Sequence, residues 1–290
     1  MNSSEFVAAC CQSGLLLELA TTPKPGLVDR MSRVSEFDKF LISAVVLYRH
    51  FRRAAEGLPV GKCIEDACRD MLLRQSGGNT HLGAVLLLMP VAAAARTYGD
   101  AEQLRGGLKA LLKELDYRDT ISIFRAVRMV RPGGLGRVGF LDVMDERTFE
   151  KIVRNRIGPL KALTPYREWD VVAHEYLTGY EACYRFGFRY LKAEIDSGKG
   201  FNEAGVNTFL NIMANIWDTH VIRRHGRPSA RMLSRMARRV LDAGGASTEE
   251  GVEALGEFRM KVERAGYRPA ASADILAVSF TLLMLDGWSP

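Results

Sequence analysis

Apolar residues recur at three-to-four spacing along almost the whole chain, and that period predicts helices rather than strands. A first helix is expected from Ser3 or Ser4, with Glu5 in its opening turn. Its apolar face runs through Cys10, Leu15, Leu16, Leu17 and Leu19 and stops at Thr21-Thr22-Pro23. A second, over about 36–56, carries Phe40, Leu41, Ala44, Val45, Leu47, Tyr48 and Phe51 on the same period. Comparable patterns cover roughly 62–75, 80–97, 100–115, 119–130, 146–161, 169–196, 203–224, 229–243, 248–265 and 272–286. Ser247 and Thr248 before Glu249 and Glu250 read as a cap with an acidic first turn. Gly226 and Pro228 punctuate the chain ahead of Ser229. The β-branched residues of 119–130 alternate briefly, yet Arg125 and Arg128 fit a helical face equally well. There is no solenoid-length repeat, heptad array or low-complexity tract, and no Gly/Ser/Pro linker. The expected fold is all-α: one compact multi-helix domain over 1–290, with about 11–13 helices and little or no sheet.

Composition narrows the class without naming it. An apolar fraction of 47% beside 26% charge excludes disordered, collagen-like and mucin-like chains. A chain of 290 residues buries about three quarters of its unfolded surface and needs no disulfide or metal staple. The formal charge of +6 suits a polyanionic small molecule but does not argue for nucleic acid; an inert basic surface accounts for it equally. Five cysteines, Cys10, Cys11, Cys63, Cys68 and Cys183, form no CxxC and no zinc spacing, and read as buried reduced residues. The N-terminus lacks a secretory pattern, and the longest apolar stretch, Leu82 to Ala95, is too short for a bilayer and contains Pro90. A soluble cytoplasmic protein is expected.

Three segments set reactive polar residues among glycine and proline. In Pro23-Lys24-Pro25-Gly26-Leu27-Val28-Asp29-Arg30, two prolines stiffen a loop that would present the Lys24 ammonium to phosphate, with Asp29 as a Mg²⁺ ligand or general base. The bland reading is a rigid turn with a surface ion pair. In Gly77-Gly78-Asn79-Thr80-His81, the glycines let amides approach an anion at the start of an apolar helix, Asn79 or Thr80 can cap, and His81 falls in the first turn. This is not a P-loop, because no Gly-Lys-Ser/Thr follows; a helix cap with a core histidine explains it too. The third, Arg131-Pro132-Gly133-Gly134-Leu135-Gly136-Arg137, is either a phosphate-facing nest or a plain loop.

Asp170 and His174 stand one turn apart, as do His220 and Arg224 beyond Asp218, yet no metal-ligand motif is formed, and solvated helix faces suffice. Ser272 and Asp274 read as a cap and first-turn acid of the last helix.

The order of these pieces resembles the triphosphoribosyl-dephospho-CoA synthase family. It comprises Pro23-Lys24-Pro25-Gly26-Leu27-Val28-Asp29-Arg30, then Gly77-Gly78-Asn79-Thr80-His81 with Gly83, then Asp218-Thr219 with Val221 and Arg224, and last Ser272-Ala273-Asp274. The resemblance implies an all-helical enzyme that displaces adenine from ATP and joins the triphosphoribosyl group to a hydroxyl of dephospho-CoA or another cofactor precursor. It implies Asp29, His81 and Asp218 as catalytic residues and Lys24, Arg30, Gly77, Gly78, Asn79, Thr80 and Asp274 as nucleotide contacts. Asp29 and Asp218 would be the Mg²⁺ ligands. The expected partners are a nucleotide and a small-molecule acceptor, with room for a homodimer, and neither nucleic acid nor a membrane.

Two departures stand out. After Arg30 the family's Gly-Ala-His is missing, leaving Glu36 or Asp38 as replacement carboxylates; and Glu168-Trp169-Asp170-Val171 stands about where the family has Ala-Arg-Gly-Glu-Ala. The alternative from a different class is a non-catalytic nucleotide-binding or regulatory helical protein.

Overall fold

Two segments are apolar on every side, and a helix with no polar face has to be interior. They are α4 (Leu82–Ala95) and α14 (Ala270–Leu285), whose residues are almost all buried, and the other helices pack around them. The structure is a computed structural model that describes residues 2–31, 34–76, 78–135 and 138–289. In chain order the remaining helices are α1 (Ser4–Ala20), α2 (Val34–Ala55), α3 (Val60–Arg74), α5 (Ala101–Glu114), α6 (Tyr117–Val130), α7 (Glu146–Arg154), α8 (Pro159–Leu163), α9 (Val171–Thr178), α10 (Arg189–Asp196), α11 (Phe201–Asn215), α12 (Thr219–Asp242) and α13 (Glu249–Arg264). A 3₁₀ turn, Thr164–Tyr166, and a π-helical turn, Cys183–Phe188, complete them. No strand occurs among the described residues, and one continuous hydrophobic core joins the helices. No helix there is long and apolar enough to cross a membrane. All five cysteines are free and buried.

Among the described residues there are fourteen α-helices where 11–13 were expected, because long patterns break. The pattern over 146–161 is interrupted at Arg156, which takes a left-handed φ of 46°. That over 169–196 stops where Gly179 adopts φ 66° and restarts as the π-helical turn. There the carboxylate of Glu175 accepts the Ala182 and Cys183 N–H groups at 3.0 and 2.8 Å. The third, 203–224, divides at Ile216–Asp218, while the expected break at Gly226 is a kink inside α12 with φ 83°. The 119–130 segment is helical, closed at its start by an Asp116–Asp119 capping box.

Pro90 lies inside α4 and has no N–H for the carbonyl four residues before it. That carbonyl, on Leu86, accepts the Tyr176 hydroxyl at 2.8 Å, and the next, on Leu87, accepts the Tyr180 hydroxyl at 2.6 Å. Two tyrosines from a distant segment thus bond the carbonyls beside the proline, and α4 runs on through it, its N-terminus opening on the cavities described next.

Candidate active site

The loop between α1 and α2 does not present its lysine outward. Lys24 is 2% exposed; its ammonium forms an ion pair with the Glu18 carboxylate and donates to the Glu18 carbonyl at 2.6 Å. The prolines stiffen the loop as expected, but α1 supplies a buried carboxylate that draws the side chain inward. Asp29 braces the same loop, accepting the Lys24 and Met31 N–H groups at 2.9 Å each. Arg30 is exposed and lines neither cavity.

The second motif meets this loop. Gly26, Leu27 and Val28 share a cavity of about 220 Å³ with Asn79, Thr80 and His81. Lys39 and Arg268 add cationic side chains to it, and Glu18 and Glu36 add carboxylates. Asn79 caps α4, its side-chain oxygen accepting the Leu82 N–H at 3.0 Å, and Thr80 donates to the Ser43 hydroxyl at 2.7 Å. Gly78 holds φ 77° and is exposed, outside the cavity lining. Gly77 lies outside the described residues, as do Gly136 and Arg137 of the third loop.

His81 is buried edge-on against Phe40, with Nε2 3.2 Å from the Phe40 carbonyl. Burial, with help from the positive charge of Lys24, lowers its pKa to about 4, so the ring is neutral at physiological pH. A carbonyl can only accept, so Nε2 carries the proton and Nδ1 is left as an acceptor.

Asp274 occupies the junction. It lines this cavity and also a larger, mainly apolar one of about 600 Å³; Asn79, His220 and Ala270 are the other residues common to both. Its carboxyl accepts the Ala84 N–H and lies so close to α4 that any Cβ at position 83 would overlap it; Gly83 is therefore required. Burial first, then the negative charges of Glu18 and Asp218, push its pKa well above the usual carboxylate range. The reading of Ser272 and Asp274 as cap and first-turn acid is corrected here: α14 begins at Ala270, and both the N–H and the hydroxyl of Ser272 go to Asp218, at 2.8 and 2.9 Å.

Asp218 is a clamp. Its other oxygen accepts the His220 and Val221 N–H groups, tying the start of α12 to α14. Burial pushes its pKa up to about 6 against those four donors. Asp218 and Asp29 spend both oxygens on loop and helix N–H groups, and among the described residues no group of three or more His, Cys, Asp or Glu could hold a metal ion.

Around the larger cavity stand apolar residues of α4, α6 and α9, and Pro132, Gly134 and Leu135 make the third glycine loop one of its walls. Trp169 and Asp170 also line it. Arg223 crosses over the Trp169 ring and donates to Asp170 at 2.6 Å, and Arg227 stands on the same side. His174 lies outside both linings, as does Asp38, whereas Glu36 faces the smaller cavity. Glu18, Lys39 and Arg268 are site residues that the motifs did not point to. Glu18 alone had a visible signal, a carboxylate between Leu17 and Leu19 on an apolar face.

Residues 4–290 match the model of the family described as CitG: ATP:dephospho-CoA triphosphoribosyl transferase. A Pseudomonas fluorescens Pf-5 protein named "Probable 2-(5''-triphosphoribosyl)-3'-dephosphocoenzyme-A synthase" is 27% identical over 300 residues, 96% of this chain and 91% of that protein. An Azotobacter vinelandii protein of the same name is 27% identical over 98% of this chain and 92% of its own length. A crystal structure from Archaeoglobus fulgidus, described as a candidate triphosphoribosyl-dephospho-CoA synthase, shares the fold with a TM-score of 0.69. It is 23% identical and covers 86% of this chain and 100% of its own. With the match running nearly end to end and both opening motifs meeting in one cavity, the chain belongs to the ATP:dephospho-CoA triphosphoribosyl transferase family.

Proposed function

We propose that this chain transfers the triphosphoribosyl group of ATP to dephospho-CoA and releases adenine. The observation that carries the reading is the meeting of a polar, cation-lined cavity with a larger apolar one at a single carboxyl, Asp274. The smaller cavity suits a polyphosphate: Lys39 and Arg268 supply charge, and the N-terminus of α4 adds the positive end of its helix dipole. His81 is neutral and its Nε2 proton is engaged by the Phe40 carbonyl, so it gives the phosphates no charge and offers only the Nδ1 acceptor to the cavity. Magnesium enters as part of the nucleotide substrate, because Asp29 and Asp218 are engaged elsewhere. The larger cavity suits an acceptor with a long, partly apolar body, and Arg227, beside Arg223 in its pairing with Asp170, brings cationic charge to the lining for its phosphates. Cleavage between the ribose C1′ and adenine passes through an oxocarbenium-like state, and the junction of the cavities is where that carbon would lie between leaving base and incoming hydroxyl. Nothing in the site favours a non-catalytic reading.

The test is direct. Purified protein with ATP, Mg²⁺ and dephospho-CoA is expected to release free adenine in step with consumption of the acceptor. Release of ADP or AMP instead would overturn the reading.

A further inference from the structure

Five carboxylates surround the smaller cavity or its walls; Glu36 is half-buried on α2, and of the other four three are already committed. Glu18 is paired with Lys24, Asp29 braces the loop, and Asp218 accepts four hydrogen bonds. Asp274 is different. The Ala84 N–H donates to it, and it lines both cavities. Glu18 faces it from α1, Asp218 from the start of α12 and Cys183 from the π-helical turn, while Lys24 acts on Glu18 and on His81. His220 lines the same junction and is kept neutral by burial. A carboxyl in such company holds its proton, and the His81 imidazole, which lines the smaller cavity with it, does not. Two groups whose surroundings push them in opposite directions make a matched acid and base.

We propose that Asp274 protonates the departing adenine and that Nδ1 of His81 accepts the proton of the incoming hydroxyl. The inference rests on the transfer reading above and assigns its proton traffic. As the C1′–N9 bond breaks, its electron pair passes to the base, which takes the Asp274 proton at a ring nitrogen. The acceptor oxygen supplies the pair for the new C1′–O bond and gives its proton to His81. Exchange with water then restores both residues. Gly83 belongs to this arrangement as a positioning residue, since only its missing side chain lets the carboxyl reach the junction.

The experiment compares two donors, ATP and its 7-methyladenine counterpart, whose base already carries the positive charge that protonation would supply. Asp274→Asn is expected to slow adenine release from ATP by about 100-fold or more while changing release of the methylated base far less. His81→Gln is expected to slow both. Equal loss on both donors, or wild-type release from ATP by Asp274→Asn, would overturn the assignment. The pH profile of ATP turnover reads it independently: rate falls on the alkaline side in the wild type, and that limb is absent from the residual activity of Asp274→Asn. A limb that persists counts against the proposal. If Asp274→Asn does not fold, Gly83→Ala crowds the same carboxyl and is expected to give the same donor dependence, with equal slowing on both donors as the contrary result. Failure of the wild type to release adenine at all sinks the transfer reading itself, whereas an active wild type with an indifferent Asp274→Asn sinks this inference alone.

Discussion

Lys24 shows how one partner reverses the meaning of a residue. Read along the chain, a lysine between two prolines is a charge held out for a ligand; beside Glu18 it is half of a buried ion pair. Removing one member of such a pair leaves a buried charge, at a typical cost of 3–5 kcal/mol. Glu18 can escape part of that cost by taking up a proton, since burial already raises its pKa. Lys24→Met is therefore expected to lose about 3 kcal/mol, at the lower end of that range. The double variant Glu18→Leu with Lys24→Met should recover most of the loss, as urea unfolding would read. If Lys24→Met weakens ATP binding while unfolding at the wild-type midpoint, the lysine is a ligand contact after all. The sequence displayed both residues, but nothing in a spacing of six says that an ammonium folds back onto the preceding turn.

At the level of elements, helical period predicted most of what is seen, because amphipathic helices bury one face regardless of their neighbours. What it missed were interruptions made by backbone angles at Arg156 and Gly179, which leave the apolar rhythm intact. Pro90 is the reverse case: a visible breaker that breaks nothing. The Tyr176 hydroxyl meets the carbonyl that the proline abandons, and a partner 90 residues away is invisible to local pattern. Tyr176→Phe is expected to cost about 1–2 kcal/mol by leaving that carbonyl unsatisfied. Urea unfolding should show the drop with no change in mean helicity by circular dichroism; an unchanged midpoint would mean that α4 needs no such support.

Across the whole molecule, acid and base residues of one site pull the pH dependence of stability in opposite directions. His81 falls from its ordinary 6.5 to about 4, so between those values the unfolded chain binds a proton that the native one refuses, and stability rises with pH. Asp218, raised from 3.8 to about 6, does the opposite over nearly the same range. The two largely mask each other in the native protein. The stability gap between wild type and His81→Gln isolates one of them: it should widen in favour of the wild type as pH rises from 4 to 6.5, by about 3 kcal/mol. Denaturant curves at several pH values check it, and a gap that stays constant would mean that His81 titrates normally. The order of the motifs was legible in the sequence, but their meeting depends on α14 lying against both α1 and α4, a long-range packing that periodicity cannot encode.

Gly26 carries that dependence furthest. It holds φ 78° and sits so close to the backbone at Tyr267 that a methyl group there would collide with it, so the first motif is seated on the connection leading into the last helix. A chain cut before position 270 keeps both early motifs, yet the pocket they share then lacks Ala270, Ala273 and Asp274. Such a truncation is expected to be as inert as one that removes the motifs themselves.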